Sequence, residues 1–225
     1  MTTPIVISVE GNIGSGKSTL LKYLTSDLQL SRPVVFLQEP VDEWQKIMSE
    51  EGETMLQKFY KNKARYAFSF QMMAYISRLA LLKKSVEENP DAIIITERSL
   101  YTDRFVFAKM LYDTKNIELA EYSIYLKWFD TFASDFPISK IIYVKTDPPV
   151  CLHRIVTRSR SGENVIAIDY LNKCNKYHNK MIDKLSPFDE SRKSLDNVLI
   201  IDGNDDFHEK KNSWLSQITH FLDKQ

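Results

Sequence analysis

Five residues into the chain an apolar run, Ile5-Val6-Ile7-Ser8-Val9, opens into Gly11-Asn12-Ile13-Gly14-Ser15-Gly16-Lys17-Ser18. The pattern is G-x-x-x-x-G-K-[ST] in the setting it requires. A strand precedes it, and a helix with Leu20, Leu21, Leu24 and Leu28 on its apolar repeat follows. The chain holds six glycines, and three of them fall in these eight residues. They let the backbone turn its N–H groups inward around a polyphosphate. The helix N-terminus adds partial positive charge, Lys17 reaches the β- and γ-phosphoryl oxygens, and the Ser18 hydroxyl can hold Mg²⁺.

The rest of the chain repeats the strand-then-helix theme. Apolar, β-branched runs recur at 5–9, 34–37, 92–96, 140–144 and 197–201, each short and apolar on both faces. Helical patterns lie between them, at roughly 17–28, 54–88, 100–113, 117–134, 148–159, 168–185 and 206–223. Strands covered on both faces by crossover helices read this way, so an α/β fold with about five parallel strands is predicted. Lys63 to Glu88 is the longest helical stretch and is apolar on more than one face, which suits a central helix or a subunit interface. A length of 225 residues suits one well-buried domain, 1–225, and is short for two.

Composition narrows the function. Thirty acidic and thirty basic residues cancel, so no global field draws the protein to nucleic acid or to an anionic membrane. No stretch approaches the length of a membrane span, and a strand starting near residue 5 leaves no room for a leader. The expectation is an intracellular protein, cytoplasmic or nuclear. Cys151 and Cys174 lack metal spacing and are expected to be reduced. His153, His178, His208 and His220 also lack ligand spacing and read as surface or core residues.

In open parallel sheets the ligand lies beyond the carboxyl ends of the strands, so the residues there should carry chemistry. They do: Gln38-Glu39-Pro40, Glu97-Arg98-Ser99, Thr146-Asp147 and Asp202-Gly203-Asn204 follow the later strands. Transfer of a phosphoryl group to an alcohol needs a carboxylate to take the hydroxyl proton, and Glu39 is placed for it. A capping or solvent-facing glutamate fits the same position. Arg98 can pair with Glu39, keep it ionised and touch the moving phosphoryl group; a structural salt bridge is the other reading. Gln71, Ala74 and Arg78 share one face of the long helix. An amide there can pair with a nucleobase edge between aromatic rings, although Gln71 also reads as plain polar surface beside core aromatics. Arg154, Arg158 and Arg160 lead to Gly162 and suit a lid that closes over phosphates. A solvated basic helix end has the same composition.

Taken in order, these segments resemble the deoxynucleoside kinases of the deoxycytidine and deoxyguanosine kinase type, essentially end to end. The series runs Glu10-Gly-Asn-Ile-Gly-Ser-Gly-Lys-Ser-Thr19, Gln38-Glu-Pro-Val41 with Trp44, Leu56-Gln57, Tyr60 and Phe68-Ser-Phe-Gln71. It continues with Ser77-Arg78, Glu97-Arg-Ser-Leu-Tyr-Thr-Asp-Arg104, Phe107-Ala108, Cys151-Leu-His-Arg154, Arg158-Ser-Arg160, Glu163, Tyr170-Leu171 and Asp205-Asp-Phe207. The resemblance implies transfer of phosphate from ATP-Mg²⁺ to the 5′-hydroxyl of a deoxynucleoside. Gly11 to Thr19 would cradle the phosphates, with Ser18 on Mg²⁺ and Glu97 reaching it through water. Glu39 would be the base, bridged by Arg98. Tyr60 and Glu163 would hold the 3′-hydroxyl, and Gln71 would read the base edge between Phe70, Phe107 and Trp44.

The resemblance further places Arg78 and Asp103 at the far edge of the base, where, with a small residue at Ala74, they go with deoxycytidine or deoxypurine use. Arg154, Arg158 and Arg160 would form a lid of about 154–166, which reads Ser161-Gly162-Glu163 where relatives often have two adjacent acids. Asp205, Asp206 and Phe207 would border the donor's adenine. A homodimer packed through helices, the long one included, is also implied.

Two rivals remain. A thymidylate-type nucleotide kinase needs basic groups after the second strand to receive the acceptor's phosphate, and Glu39 would repel it. A non-catalytic kinase-fold subunit is expected to lack Lys17, Glu39 or Arg98, and all three are present. A nucleotide switch would need a motif that positions a hydrolytic water, and none stands out.

Overall fold

The computed structural model describes residues 5–160, 163, 165–185 and 197–223. The five apolar runs form strands β1 (Ile5–Glu10), β2 (Val34–Leu37), β3 (Ile93–Glu97), β4 (Ile138–Lys145) and β5 (Val198–Asp202). All pair in parallel, in the order β2-β3-β1-β4-β5. β1 is central, with Val9 opposite Glu97 of β3 on one side and Ile142 of β4 on the other. The chain therefore leaves β1 towards one edge, returns, and continues to the opposite edge. The crevice of such a sheet opens at that reversal, beyond the carboxyl ends.

Each face is covered by helices, as strands apolar on both sides require. On one face α1 (Lys17–Asp27) and α10 (Phe207–Asp223) bury Leu20, Leu21, Leu24, Trp214 and Ile218 against Ile7, Val9 and Ile142. On the other, α4 (Lys63–Glu88) and α7 (Leu119–Phe132) bury Tyr75, Leu79, Tyr125 and Phe129 against Val6 and Ile94. A second face of α4 carries Ala67, Phe70, Met73 and Ala74 into a separate apolar cluster with α2 (Val41–Lys46) and α3 (Met55–Lys61). That double duty explains why its sequence shows no single apolar stripe.

Two expected helices differ in detail. The stretch 54–88 is two helices, broken at Asn62, whose backbone ends α3 and whose side-chain oxygen accepts from Arg65 N at 3.1 Å to start α4. Residues 100–113 are not one α-helix. They pass from α5 (Leu100–Thr102) through a π-helical segment (Asp103–Ala108) into α6 (Lys109–Asp113). α8 (Pro148–Arg158) and α9 (Ile168–Leu185) follow β4, and α8 was expected over nearly the same residues.

The phosphate loop is pressed onto α8. Gly14 has φ 76°, and a Cβ there would lie 2.5 Å from the Cys151 carbonyl oxygen and 2.9 Å from the Ile155 side chain. Left-handed strain alone costs about 1–2 kcal/mol, and the clash adds to it. Gly14→Ala is expected to lower the melting temperature by at least roughly 2–8 °C. Gly52→Ala, at a similar φ of 78° with nothing within 4 Å, isolates the strain and should cost less. Equal losses in a thermal melt would show that the contact with α8 does not matter.

Candidate active site

The strand ends and the loops around them enclose a cavity of about 450 Å³. Its floor is the phosphate loop. Asn12 anchors the loop by donating from Nδ2 to Leu171 O at 3.0 Å and accepting from Ile13 N at 2.8 Å. Lys17 Nζ donates to Asn12 O at 2.7 Å. Burial, then the nearby Arg98 charge, brings its ammonium down to about 7 against the pull of Glu97 and Glu39. Ser18 Oγ donates to Glu97 Oε1 at 2.7 Å, so an oxygen pair stands beside the loop. Arg154 NH1 ties the loop to the end of β5, donating to Ser15 O at 3.2 Å and Gly203 O at 2.8 Å.

Glu39 lines the same cavity as Lys17, at the mouth of β2. Arg98 NH1 donates to both its oxygens, at 3.0 and 3.1 Å, and Arg78 NH2 donates to Oε1 at 3.0 Å. Burial alone would raise this carboxyl. The combined charge of Arg98, Arg78 and Lys17 outweighs it and holds Glu39 at about 2. Arg78 also donates from Nε to Asp103 Oδ2 at 3.0 Å and from NH1 to Glu97 O at 2.8 Å. Asp103 has a single cationic partner, so burial dominates there and pushes it up to about 6. Arg78 has two carboxylates, whose attraction outweighs its own burial and keeps it charged.

The apolar end of the cavity is aromatic. Phe59 stacks on Phe70 at 4.6 Å, and Trp44 meets Phe70 edge-on at 5.8 Å while its Nε1 donates to Ser77 Oγ at 2.8 Å. Phe107 lies under the Arg98 guanidinium at 5.2 Å. Gln71 is 2% exposed on the cavity wall, and its Oε1 has no hydrogen-bond partner; Arg98 Nε is also buried and unpartnered. Both residues line the cavity, so these polar atoms are open to a partner that the protein itself does not supply.

At the rim, Arg158 donates from Nε and NH2 to Glu163 Oε2 at 3.0 and 2.5 Å, and Arg160 NH1 approaches Oε1 at 3.4 Å. Tyr60 faces the same carboxylate, and burial followed by the Glu163 charge pushes its phenol up, so it stays neutral. Ser161, Gly162 and Asn164 of the expected lid lie outside the described residues.

Most residues singled out in the sequence line this one cavity: Ile13, Gly14, Gly16, Lys17, Ser18, Thr19, Glu39, Trp44, Tyr60, Phe70, Gln71, Ala74, Arg78, Glu97, Arg98, Asp103, Phe107, Arg154, Arg158, Arg160 and Glu163. Gly11, Asn12 and Ser15 belong to the same loop but are not among the lining residues. Asp205, Asp206 and Phe207 are not among the lining residues. Asp206 caps α10 by accepting from His208 N at 2.8 Å, and Phe207 packs edge-on against Tyr23 and Trp214. Phe59 and Tyr170 line the cavity although no role attached to them in the sequence. Tyr170 meets Tyr60 edge-on at 6.3 Å; an aromatic one turn before the buried Cys174 of α9 was the available signal.

A phosphate loop facing a buried carboxylate–arginine pair describes phosphoryl transfer, and comparison with known proteins identifies the kind. The family model for deoxynucleoside kinases matches residues 7–223. This chain belongs to the deoxynucleoside kinase family. A probable deoxycytidine kinase of fowlpox virus is 36% identical to it over 220 residues, covering 96% of this chain and 86% of the relative. Human deoxycytidine kinase is 32% identical, with coverages of 96% and 90%. The mitochondrial deoxyguanosine kinase of Xenopus laevis is 30% identical, with coverages of 89% and 82%. Membership makes the enzyme a kinase of deoxynucleosides, with a nucleotide as phosphoryl donor. Among the described residues no helix is long and apolar enough to cross a membrane.

Proposed function

We propose that this kinase moves the γ-phosphoryl group of ATP to the 5′-hydroxyl of deoxycytidine or a purine deoxynucleoside, the whole chain acting as one kinase domain. The observation that carries the reading is the pairing, in one cavity, of an ionised Glu39 and Lys17 with the unpartnered Gln71 amide oxygen. The first places an acceptor hydroxyl beside the phosphate site; the second meets the amino edge of a base.

Glu39 accepts the 5′-hydroxyl hydrogen bond and aims the oxygen at the γ-phosphorus. As the new O–P bond forms and the bond to the β-phosphate oxygen breaks, the hydroxyl proton passes to Glu39 and the nucleoside diphosphate leaves. A carboxyl held near 2 is a weak base, which suits a loose transition state whose hydroxyl becomes acidic only late. Lys17, Arg98 and the lid arginines Arg154, Arg158 and Arg160 meet the charge on the phosphoryl oxygens. Ser18, with Glu97 through water, suits Mg²⁺, which keeps most of its ligands as water and phosphate and neutralises charge on the triphosphate.

The base pocket gives a pH dependence. Asp103, pushed up to about 6, is ionised at pH 7 and takes a proton as the pH falls through that value. The proton removes the acceptor facing the base. Nucleoside KM is therefore expected to rise below about pH 6 while kcat, which depends on Glu39, stays level. Asp103→Asn should flatten that KM profile, and a wild-type KM that does not change with acidification would remove Asp103 from the pocket.

A homodimer is part of the proposal. The packed pair α4 and α7 presents Ile76, Ile124, Trp128 and Phe132 to solvent, and Trp128 and Phe132 lie 5.5 Å apart. Binding of nucleosides against their 5′-monophosphates tests the site itself. By calorimetry the nucleosides should bind, and the monophosphates should bind far more weakly, because their phosphate meets the Glu39 charge. A monophosphate that binds as tightly as its nucleoside would overturn the reading.

A further inference from the structure

β1 is apolar on both faces except where it ends. Ser8 and Glu10 point to the same face as Val6, and both are fully buried. Three hydroxyls converge on the Glu10 carboxylate. Ser99 donates to Oε1 at 2.6 Å, Ser8 donates to the same oxygen, and Thr102 donates to Oε2. Glu10 does not line the cavity, so its burial is not explained by contact with a ligand. A buried carboxylate is costly and persists only where its partners hold it firmly.

What it holds is the turn after β3. Arg98 has φ 62°, a left-handed backbone that a long side chain adopts at a cost of about 1–3 kcal/mol unless its surroundings enforce it. The enforcing contacts are on every side: Arg98 N donates to Val9 O at 3.0 Å, and Arg98 O accepts from Thr96 Oγ1 at 2.9 Å. The next residue, Ser99, is bound to Glu10, and Thr102 begins the segment that delivers Asp103 to Arg78. One carboxylate thus joins the strand leading into the phosphate loop to the strained turn that aims a guanidinium at Glu39.

We propose that Glu10 is a positioning residue for phosphoryl transfer: through Ser99 and Thr102 it locks the Arg98 backbone in the strained conformation that points the guanidinium at the acceptor. The inference rests on the kinase reading above, since Arg98 matters for transfer only there. Glu10→Gln replaces one acceptor oxygen with a donor facing hydroxyls already committed to donating. A displacement near 1 Å at the reacting centre costs on the order of 10²-fold in rate, so kcat should fall by about 10–10²-fold with little change in nucleoside KM.

The decisive experiment is a double-mutant cycle with Arg98→Gly, which removes both the guanidinium and the strain. In that background Glu10→Gln should lower the residual kcat no further, and its effect on the melting temperature should differ from its effect in the wild type. Equal kcat losses in both backgrounds, or an unchanged kcat in the wild type, would overturn the proposal. Should Glu10→Gln fail to fold, Ser99→Ala and Thr102→Val each remove one donor and face the same criterion. A wild-type enzyme without transfer activity would instead defeat the kinase reading, and the melting-temperature coupling would still report on the Glu10–Arg98 link.

Discussion

Glu39→Gln is expected to lower kcat by about 10²–10⁴-fold, the usual worth of a positioned general base, while nucleoside Kd changes little. The amide has the shape of the carboxylate and keeps an oxygen that accepts the 5′-hydroxyl, so the substrate still docks. It cannot take the proton, and it no longer balances Arg98 and Arg78, which donate to it at 3.0 Å each. An interaction needed only as the new bond forms should appear in kcat and in kcat/KM together, and equilibrium binding is the proper control. Turnover near that of the wild type would remove Glu39 as the base and leave it as a structural partner of two arginines.

Arg78→Met is expected to be the most destabilising single change at the site. Arg78 is 3% exposed and satisfies Glu39, Asp103 and the Glu97 carbonyl at once. Breaking a buried ion pair from one side leaves an unpaired charge and costs about 3–5 kcal/mol. For a chain of this length that is a fall of roughly 6–20 °C in melting temperature. The double variant Arg78→Met/Asp103→Ala removes the stranded carboxylate as well, so it should melt higher than the single one. It should also shift preference towards thymidine, because the pair crowds the space of a thymine methyl and offers polar groups to an amino-bearing base. One methyl group is worth about 1–3 kcal/mol, or 10–200-fold in kcat/KM. Lower stability in the double variant, or an unchanged substrate ranking, would refute this account of the pocket.

The parts of this enzyme that could be read before its structure are those fixed by local pattern. The phosphate loop needs a strand, three glycines and a helix start in sequence, and the strands announce themselves as short β-branched runs. The bounds agree closely: 92–96 was expected where β3 covers Ile93–Glu97. The sheet's topology then sends Glu39, Glu97 and Arg98 to one crevice without further information. What was not legible depends on contacts across the chain. Arg78 reaches Glu39 across 39 residues, a link that follows from how α4 lies against the strand ends. The break at Asn62 is set by its own side chain, which caps α4 by accepting from Arg65 N while the apolar pattern runs on through it. Phe207 entered through its motif alone; its partly buried ring packs edge-on against Trp214 and is not among the residues lining the cavity.

The central claim is that the acceptor is a nucleoside hydroxyl, and turnover decides it most directly. The protein is incubated with ATP and Mg²⁺ and, separately, with deoxycytidine, deoxyadenosine, deoxyguanosine, thymidine and thymidine monophosphate, and the products are resolved. The account predicts 5′-monophosphates from the nucleosides, with deoxycytidine or the purines ahead of thymidine. Diphosphate formed from thymidine monophosphate alone, or no product from any acceptor, would contradict it.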